Sequence, residues 1–217
     1  TKKERWFIFP EDTIKDVTKI NHFNLCSIDE DPTQTGHYFA SSFGNGIFEF
    51  RNGEFINHYD HRNSPLESAV PNSNNYTRIT TVQFDRDGNL WCINADGAEK
   101  VKYVVKVLKK NGEWVSLNYP EIEYKPTMVK PLFDSRGWLW ITSLQGKTGN
   151  PGIFCAKTNN TPFDTSDDKT RLWTDKFTNQ DGTSYDIYLV YSICEDKNGY
   201  IWVGTNAGLF LIDNPEE

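Results

Sequence analysis

A short segment with an acidic turn and a tryptophan recurs three times along this chain of 217 residues. Its copies lie at 84–91, 133–140 and 195–202, and a weaker copy ends at Phe39 in place of tryptophan. Successive copies are 52, 49 and 62 residues apart. A repeat of this length predicts an all-β fold, a β-propeller of about four repeats. The repeat residues are Asp85, Gly88, Trp91, Asp134, Gly137, Trp140, Asp196, Gly199 and Trp202.

Each repeat predicts a four-stranded antiparallel blade. The aspartate accepts backbone N–H bonds at the start of a tight turn, and the glycine tolerates positive φ at its end. Strands that are apolar on both faces follow the turns, which is typical of a sheet packed on both sides. We therefore expect the tryptophans to lie between neighbouring blades. Later strands are predicted at 47–50, 55–59, 114–117, 153–156, 171–173 and 209–212.

The ends of the chain leave two interpretations of the ring open. We treat 1–217 as one propeller domain or propeller fragment, with repeats at about 17–68, 76–120, 126–178 and 188–213. The last repeat stops after its third strand, and residues 5–9 have the pattern of an unattached fourth strand. That strand would close a ring of four blades, or the chain is part of a larger propeller. In the second case open blade faces favour dimerisation.

Charge and hydropathy exclude several partners. The net charge is −7, and no basic stripe offsets it, so a nucleic-acid partner is not expected. Lys106, Lys109 and Lys110 form one basic cluster beside a hairpin turn, and we interpret them as solvated. No apolar stretch of about 18 residues predicts a membrane span in this chain.

The sequence predicts neither an enzyme nor a metal or cofactor site. The four cysteines, Cys26, Cys92, Cys155 and Cys194, do not have the spacing of zinc ligands. We expect four reduced thiols in the core, with a disulfide between blades as the alternative. No nucleophile elbow or paired carboxylates stand out. We therefore expect no catalytic residues and no cofactor.

Residues 195–213 resemble the two-component regulator propeller repeat, approximately D-x-x-G-x-[LI]-W-[IV]-G-T-x-x-G-[LI]. The copies that end at Trp91 and Trp140 depart from this pattern after the tryptophan, because 92–94 and 141–143 replace Gly-Thr. Residues 58–66 are similar to the family's connection between blades. Residues 42–50 resemble a variant in propeller proteins of the type IX (Por) secretion machinery.

The resemblance implies a non-catalytic propeller in the periplasm or at the cell surface of a Gram-negative bacterium. Many members of the family are periplasmic sensor parts of hybrid histidine kinases, whose ligands are often oligosaccharides. Others are accessory proteins of type IX secretion. The expected partner is therefore an oligosaccharide or an envelope protein. We expect a protein partner to contact the long segment 158–186.

We place the ligand site on the rim opposite the Asp-x-x-Gly turns. Loops there vary while the strands hold them rigidly, so ligands commonly bind at such rims. Amide side chains beside aromatic rings suit a sugar. The predicted ligand-binding residues are Asn45, Arg78, Asn94, Asp96, Gln145, Lys147 and Asn206.

Overall fold

Antiparallel strands make up the computed structural model, which describes residues 24–95, 100–125, 128–144 and 152–216. The described strands form an eight-stranded sheet, a four-stranded sheet, a hairpin and a three-stranded sheet. We treat the eight strands as a first and a second sheet of four strands each, because the two halves are joined only where residues 43–44 pair with 77–78. The first sheet contains β1 (Leu25–Glu30), β2 (His37–Gly44), β3 (Gly46–Arg51) and β4 (Glu54–Tyr59). The second contains β5 (Thr77–Phe84), β6 (Leu90–Asn94), β7 (Val105–Leu108) and β8 (Trp114–Leu117).

The remaining strands continue this arrangement. The third sheet contains β9 (Met128–Phe133), β10 (Trp138–Ser143), β11 (Ile153–Lys157) and β12 (Lys169–Trp173). The hairpin consists of β13 (Lys176–Thr178) and β14 (Ser184–Asp186), and the last sheet of β15 (Val190–Glu195), β16 (Ile201–Thr205) and β17 (Gly208–Ile212). Short 3-10 helices lie at Pro120–Ile122 and Thr165–Asp167. The predicted all-β architecture is confirmed. Residues 5–9 lie outside the described residues, so closure of the ring by them stays a prediction.

The turn before each tryptophan strand has the predicted geometry. The glycine N–H donates to the aspartate carbonyl at 3.2 Å for Gly88, 3.2 Å for Gly137 and 3.0 Å for Gly199. All three glycines have φ between 83° and 86°, a left-handed conformation that a side chain disfavours. The aspartate side chain has a second role, because Trp91 Nε1 donates to Asp85 Oδ2 at 2.9 Å.

The first sheet lacks this tryptophan and uses a different polar group. The side chain of Phe39 has no N–H to donate. The turn is also longer, with Asp31 N donating to His37 O at 2.8 Å. The ring nitrogens of His37 lie 3.1 Å from Asp31 Oδ2 and 2.8 Å from Glu49 Oε1. Tyr59 Oη donates to the other oxygen of Glu49 at 2.8 Å. This buried network occupies the place of the aspartate–tryptophan bond.

The core consists of three apolar layers, one at each junction between successive sheets. Phe39 and Ile47 pack between the first and second sheets, Trp91 between the second and third, and Trp140 between the third and last. Trp91 is 1% exposed and Trp140 is 0% exposed. The expectation that tryptophans fill the junctions is confirmed for these two. Trp202 of the last sheet is only half-buried.

Two expectations about single residues are wrong. Lys106 is buried rather than solvated, because it lies in β7 and its Nζ donates to Glu67 Oε2 at 2.8 Å. The four cysteines are free thiols, but Cys26 and Cys194 are exposed and only Cys92 and Cys155 lie in the core. Cys194 pairs with Trp202 on the face of the last sheet that no described sheet covers. Cys26 lies at a bulge of β1, and its Sγ is 3.1 Å from Ile79 O of the second sheet.

Candidate ligand-binding rim

The structure brings three of the predicted ligand-binding residues together where the first and second sheets meet. Asn45 lies in the tight turn between β2 and β3, Arg78 in β5, and Asn94 at the end of β6. The end of β2 pairs with the start of β5, which places Phe43 opposite Arg78. Asn206 lies apart from them, between β16 and β17. Asp96, Gln145 and Lys147 are outside the described residues.

Arg78 is held against two aromatic rings at this rim. Its guanidinium carbon lies 4.7 Å from the ring centroid of Phe43 and 5.6 Å from that of Tyr76. The carbonyl of Arg78 accepts bonds from Ala95 N at 3.0 Å and from Asn94 Nδ2 at 3.3 Å. Phe43 is 38% exposed, so one aromatic ring of this group is open to solvent. We call Phe43, Asn45, Tyr76 and Arg78 the rim cluster.

Asn94 and Asn206 bind backbone groups of the connections between sheets. Asn94 is fully buried, and it accepts from Glu67 N at 2.7 Å and donates to Glu67 O at 3.0 Å. Asn206 Oδ1 accepts from Tyr188 N at 2.7 Å, and its Nδ2 donates to Asp186 O at 3.2 Å. These amides bind backbone groups where the chain enters or leaves a sheet. The surface available to contact a ligand is therefore formed by the aromatic rings and Arg78.

Asn45 is the buried member of the rim cluster. It is 2% exposed, and its N–H donates to Ser42 Oγ at 3.2 Å. Its carbonyl accepts from Nε2 of His58, whose ring stacks on Phe48 at 4.7 Å. This support fixes the turn that carries Phe43. Sequence reasoning missed Phe43 and Tyr76, although both are aromatic residues beside predicted rim positions.

Two concave regions lie away from the rim cluster. A groove of about 880 Å³ follows β17 and the β13–β14 hairpin, and it is lined by Trp173, Tyr185 and Phe210. A smaller cavity of about 230 Å³ lies between the first and second sheets on the turn side, next to His37 and Glu49. Within the described ranges, no three His, Cys, Asp or Glu side chains are placed to hold a metal ion. The same ranges contain no helix with the length and apolar character of a membrane span.

Comparison with known proteins supports the resemblance seen in the repeat. Residues 184–207 match the sequence model of the two component regulator propeller family. No curated protein matches this sequence. The match covers the third tryptophan copy, where the family pattern is complete, and it confirms the interpretation of that segment as this repeat.

Solved structures resemble nearly the whole chain. PorZ, an essential bacterial surface component of the type-IX secretion system of Porphyromonas gingivalis, matches 89% of this chain with 25% identity and a TM-score of 0.74. The extracellular domain of the putative one component system BT4673 of Bacteroides thetaiotaomicron matches 88% with 18% identity and a TM-score of 0.55. An auxiliary nutrient binding protein from Bacteroides thetaiotaomicron matches 85% with 9% identity and a TM-score of 0.51.

These relatives are much longer than this chain. The chain spans 25% of PorZ, 22% of the BT4673 domain and 36% of the nutrient binding protein. The similarity to the two Bacteroides thetaiotaomicron structures shows that this chain shares their fold. The family model at residues 184–207 and the similarity to PorZ confirm the two groups of proteins that the sequence resembles.

Proposed function

We propose that this chain is a non-catalytic, extracytoplasmic binding module and that its rim cluster binds an oligosaccharide. The observation that carries the proposal is the guanidinium of Arg78, 4.7 Å from the centroid of the exposed Phe43 ring. Similarity to a bacterial surface component and to an extracellular domain supports a location outside the cytoplasm.

The chemistry of the rim cluster suits a sugar. An exposed aromatic face packs against the C–H groups of a pyranose ring, and a neighbouring guanidinium donates to hydroxyl or carboxylate oxygens. Asn94 and Ala95 hold the backbone of Arg78 from below. Such support holds the donors in place before the ligand arrives, which reduces the entropy lost on binding. The rim cluster offers positioned contacts to a ligand, which supports a binding role.

A glycan array that carries neutral and uronic-acid oligosaccharides tests this function. We expect saturable binding to at least one oligosaccharide, measured again by calorimetry. Phe43→Ala and Arg78→Ala should each weaken it by about tenfold or more, because each removes a direct contact. Tyr200→Ala is the matched control, since Tyr200 is 40% exposed in a turn on the opposite rim.

Two results would overturn the proposed oligosaccharide site. One is the absence of binding to every oligosaccharide on the array by the folded chain. The other is binding that survives both rim substitutions and falls in Tyr200→Ala. Circular dichroism of each variant separates a lost contact from a lost fold.

A protein-interaction scaffold is the second candidate function. The segment 158–186 contains β12 and the β13–β14 hairpin, which lies beside the large groove, and Tyr185 of the hairpin is 37% exposed. The similarity to PorZ, a secretion-system component, favours this function. Crosslinking through a photoreactive residue at Tyr185 in envelope preparations should capture one defined protein, whereas the same residue at Tyr200 should not. Equal capture from both positions would argue against the scaffold function.

A further inference from the structure

The first sheet buries a carboxylate where the next two sheets bury small apolar groups. Glu49 in β3 pairs with Phe39. In the same register Val107 pairs with Trp91, and Cys155 pairs with Trp140. Glu49 is only 8% exposed, and burial of a charged group costs free energy that an apolar side chain avoids. The polar residue at this position is therefore a specific feature of the junction between the first and second sheets.

The cavity of about 230 Å³ at this junction is lined by Phe39, which has the register of Trp91 and Trp140. Each of those tryptophans fills its junction with an indole ring. The indole N–H donates to a turn aspartate, at 2.9 Å for Trp91 and 3.0 Å for Trp140. A phenyl ring is smaller than an indole and has no N–H. Phe39 therefore leaves space beside the buried polar network of the first junction.

The two carboxylates that line the cavity, Asp31 and Glu49, differ in the acceptor sites that remain. Each oxygen of Asp31 has two partners, which include Thr33 N at 2.8 Å and Thr33 Oγ1 at 2.7 Å. Each oxygen of Glu49 has one, His37 Nε2 at 2.8 Å or Tyr59 Oη at 2.8 Å. A carboxylate oxygen has two acceptor sites. With respect to the described residues, Glu49 can therefore accept a further hydrogen bond from a ligand.

Aromatic and aliphatic side chains form the apolar part of the lining. The ring of Phe39 lies 6.1 Å from that of Tyr59 and 5.5 Å from that of Phe84, measured between centroids. All three rings line the cavity, together with Leu90 and Leu108. Aromatic rings pack favourably on one another in offset or edge-to-face arrangements. Apolar walls with one buried acceptor therefore suit a planar ring that carries an N–H.

Two cationic residues mark the side of the cavity that faces solvent. Arg51 at the end of β3 and Lys110 in the turn between β7 and β8 both line the cavity and are exposed. Lys109 beside them lies 3.3 Å from a carboxylate oxygen of Glu113. Opposite charges attract each other over such distances even near water. The open side of the cavity therefore favours a ligand with an anionic group.

We propose that this cavity is a second binding site, for a small planar heteroaromatic acid of the indole type. The ring packs among the aromatic side chains of the lining, its N–H donates to Glu49, and its carboxylate lies beside Arg51 and Lys110. The ligand supplies at the first junction the indole that Trp91 and Trp140 supply at the next two. The cavity lies on the turn side of the sheets, away from the rim cluster, so this binding is separate from that of an oligosaccharide.

Isothermal titration calorimetry of the full chain with indole-3-acetate tests the site. We expect saturable binding with one ligand per chain. The analogue 1-methylindole-3-acetate has no N–H to donate to Glu49, so it should bind about tenfold more weakly or worse. This comparison uses the unmodified chain and does not depend on the folding of a variant. Absence of indole-3-acetate binding, or equal affinities for the two compounds, would overturn the proposal.

Phe39→Trp tests where the ligand binds. An indole side chain at this position fills the cavity, so binding of indole-3-acetate should be lost while the circular dichroism spectrum stays that of the unmodified chain. Binding that persists in folded Phe39→Trp would overturn the proposal. Leu108→Phe, which narrows the same cavity from the second sheet, repeats the test if Phe39→Trp does not fold.

Lys110→Ala tests the cationic side of the cavity. Because Lys110 is exposed, the fold should be unaffected. Binding of indole-3-acetate should weaken by about two- to fivefold, whereas neutral indole should bind as it does to the unmodified chain. Lys197→Ala is the matched control, since Lys197 is an exposed lysine in the turn of the last sheet. An equal loss for both ligands, or an equal loss in Lys197→Ala, would contradict the placement of the ligand carboxylate and overturn the proposal.

Discussion

Trp140 Nε1 donates a hydrogen bond to Asp134 Oδ2 across six residues, at 3.0 Å. The same carboxylate accepts from the backbone N–H of Arg136 and Trp138, each at 2.9 Å. One aspartate therefore fixes the turn and orients the tryptophan that fills the junction with the next sheet. The bond recurs between Trp202 and Asp196 at 2.9 Å. It explains why the repeat combines these two residue types at this spacing.

Replacement of Asp134 should destabilise the protein. Asp134 is 7% exposed, so Asp134→Ala leaves buried donors without an acceptor, and we expect the free energy of unfolding to fall by about 1–3 kcal/mol. Urea denaturation measures the change. Asp196→Ala is the control, with a smaller expected loss because its donors are closer to solvent. Equal losses in the two variants would contradict this explanation.

Acid should remove the stabilisation that Asp196 provides. The hydrogen bond from Trp202 lowers the pKa of Asp196 below its usual value. A carboxylate whose folded pKa is depressed stabilises the fold above its unfolded pKa, near 4, and this contribution is lost as pH falls through the folded pKa. Asp196→Asn should therefore show a smaller decrease in stability between pH 7 and pH 3. An unchanged pH dependence in urea titrations would argue against it.

Glu67 and Lys106 should respond differently to substitution. The side chain of Lys106 is 2% exposed and that of Glu67 is 41% exposed. Glu67→Ala leaves a buried ammonium without its carboxylate, so we expect a loss of roughly 1–3 kcal/mol, less than for a fully buried pair. Lys106→Met removes the buried charge and lets Glu67 face water, so its stability should be close to that of the unmodified chain. Chemical denaturation of both variants decides the order, and a reversed order would contradict the prediction.

The glycines that precede the third strands should differ in their tolerance of alanine. Gly152→Ala places a Cβ 2.1 Å from Trp173 O, and we expect a loss of more than about 2 kcal/mol. Gly208→Ala meets no atom within 4 Å, and its cost arises from φ of +129°, about 1 kcal/mol. Thermal denaturation compares the unfolding midpoints of the two variants. Equal midpoints would contradict the prediction, because they would show that the outer strand moves away from the added Cβ at position 152.

Two of the four thiols should react with a thiol reagent in the native protein. Cys26 and Cys194 are exposed as residues, although partial burial of the thiol raises the pKa of Cys26, so Cys26 should react more slowly than Cys194. Burial raises the pKa of Cys92 and of Cys155 to about 12 in each case. Only the thiolate attacks, so the two core thiols should react after unfolding. Titration at pH 8 with and without denaturant counts them. Four reactive thiols in the folded protein would contradict the burial of Cys92 and Cys155.

The sequence predicted the strands well because their signals are local. The turns that end at Gly88, Gly137 and Gly199 need only a neighbouring aspartate and a positive φ, so their chemistry is readable from adjacent residues. The burial of Lys106 could not be predicted from adjacent residues, because it depends on Glu67, which lies 39 residues earlier. The exposure of Cys194 was missed for a related reason, since it pairs with Trp202 on a face of the last sheet that no described sheet covers.

The sequence named some of the residues that the candidate site contains, and their role in ligand binding stays a prediction. The sequence indicated Asn45, Arg78 and Asn94 by their place near strand ends, and the structure brings these three together. It did not indicate Phe43, whose exposure depends on β2 extending far enough to pair with β5. The roles of Asn94 and Asn206 in holding backbone groups also depend on contacts 16 or more residues away in the sequence.

The sequence by itself determined the repeat, the turns and the apolar strands of this protein, because periodic patterns and backbone preferences act over a few residues. The tertiary structure decided which equivalent residues are covered. Ile47 and Leu209 have the same register in their sheets, and a neighbouring sheet buries the first while the second is open to solvent. Burial is a property of the packed neighbour, so it follows from the arrangement of sheets rather than from the strand's own pattern.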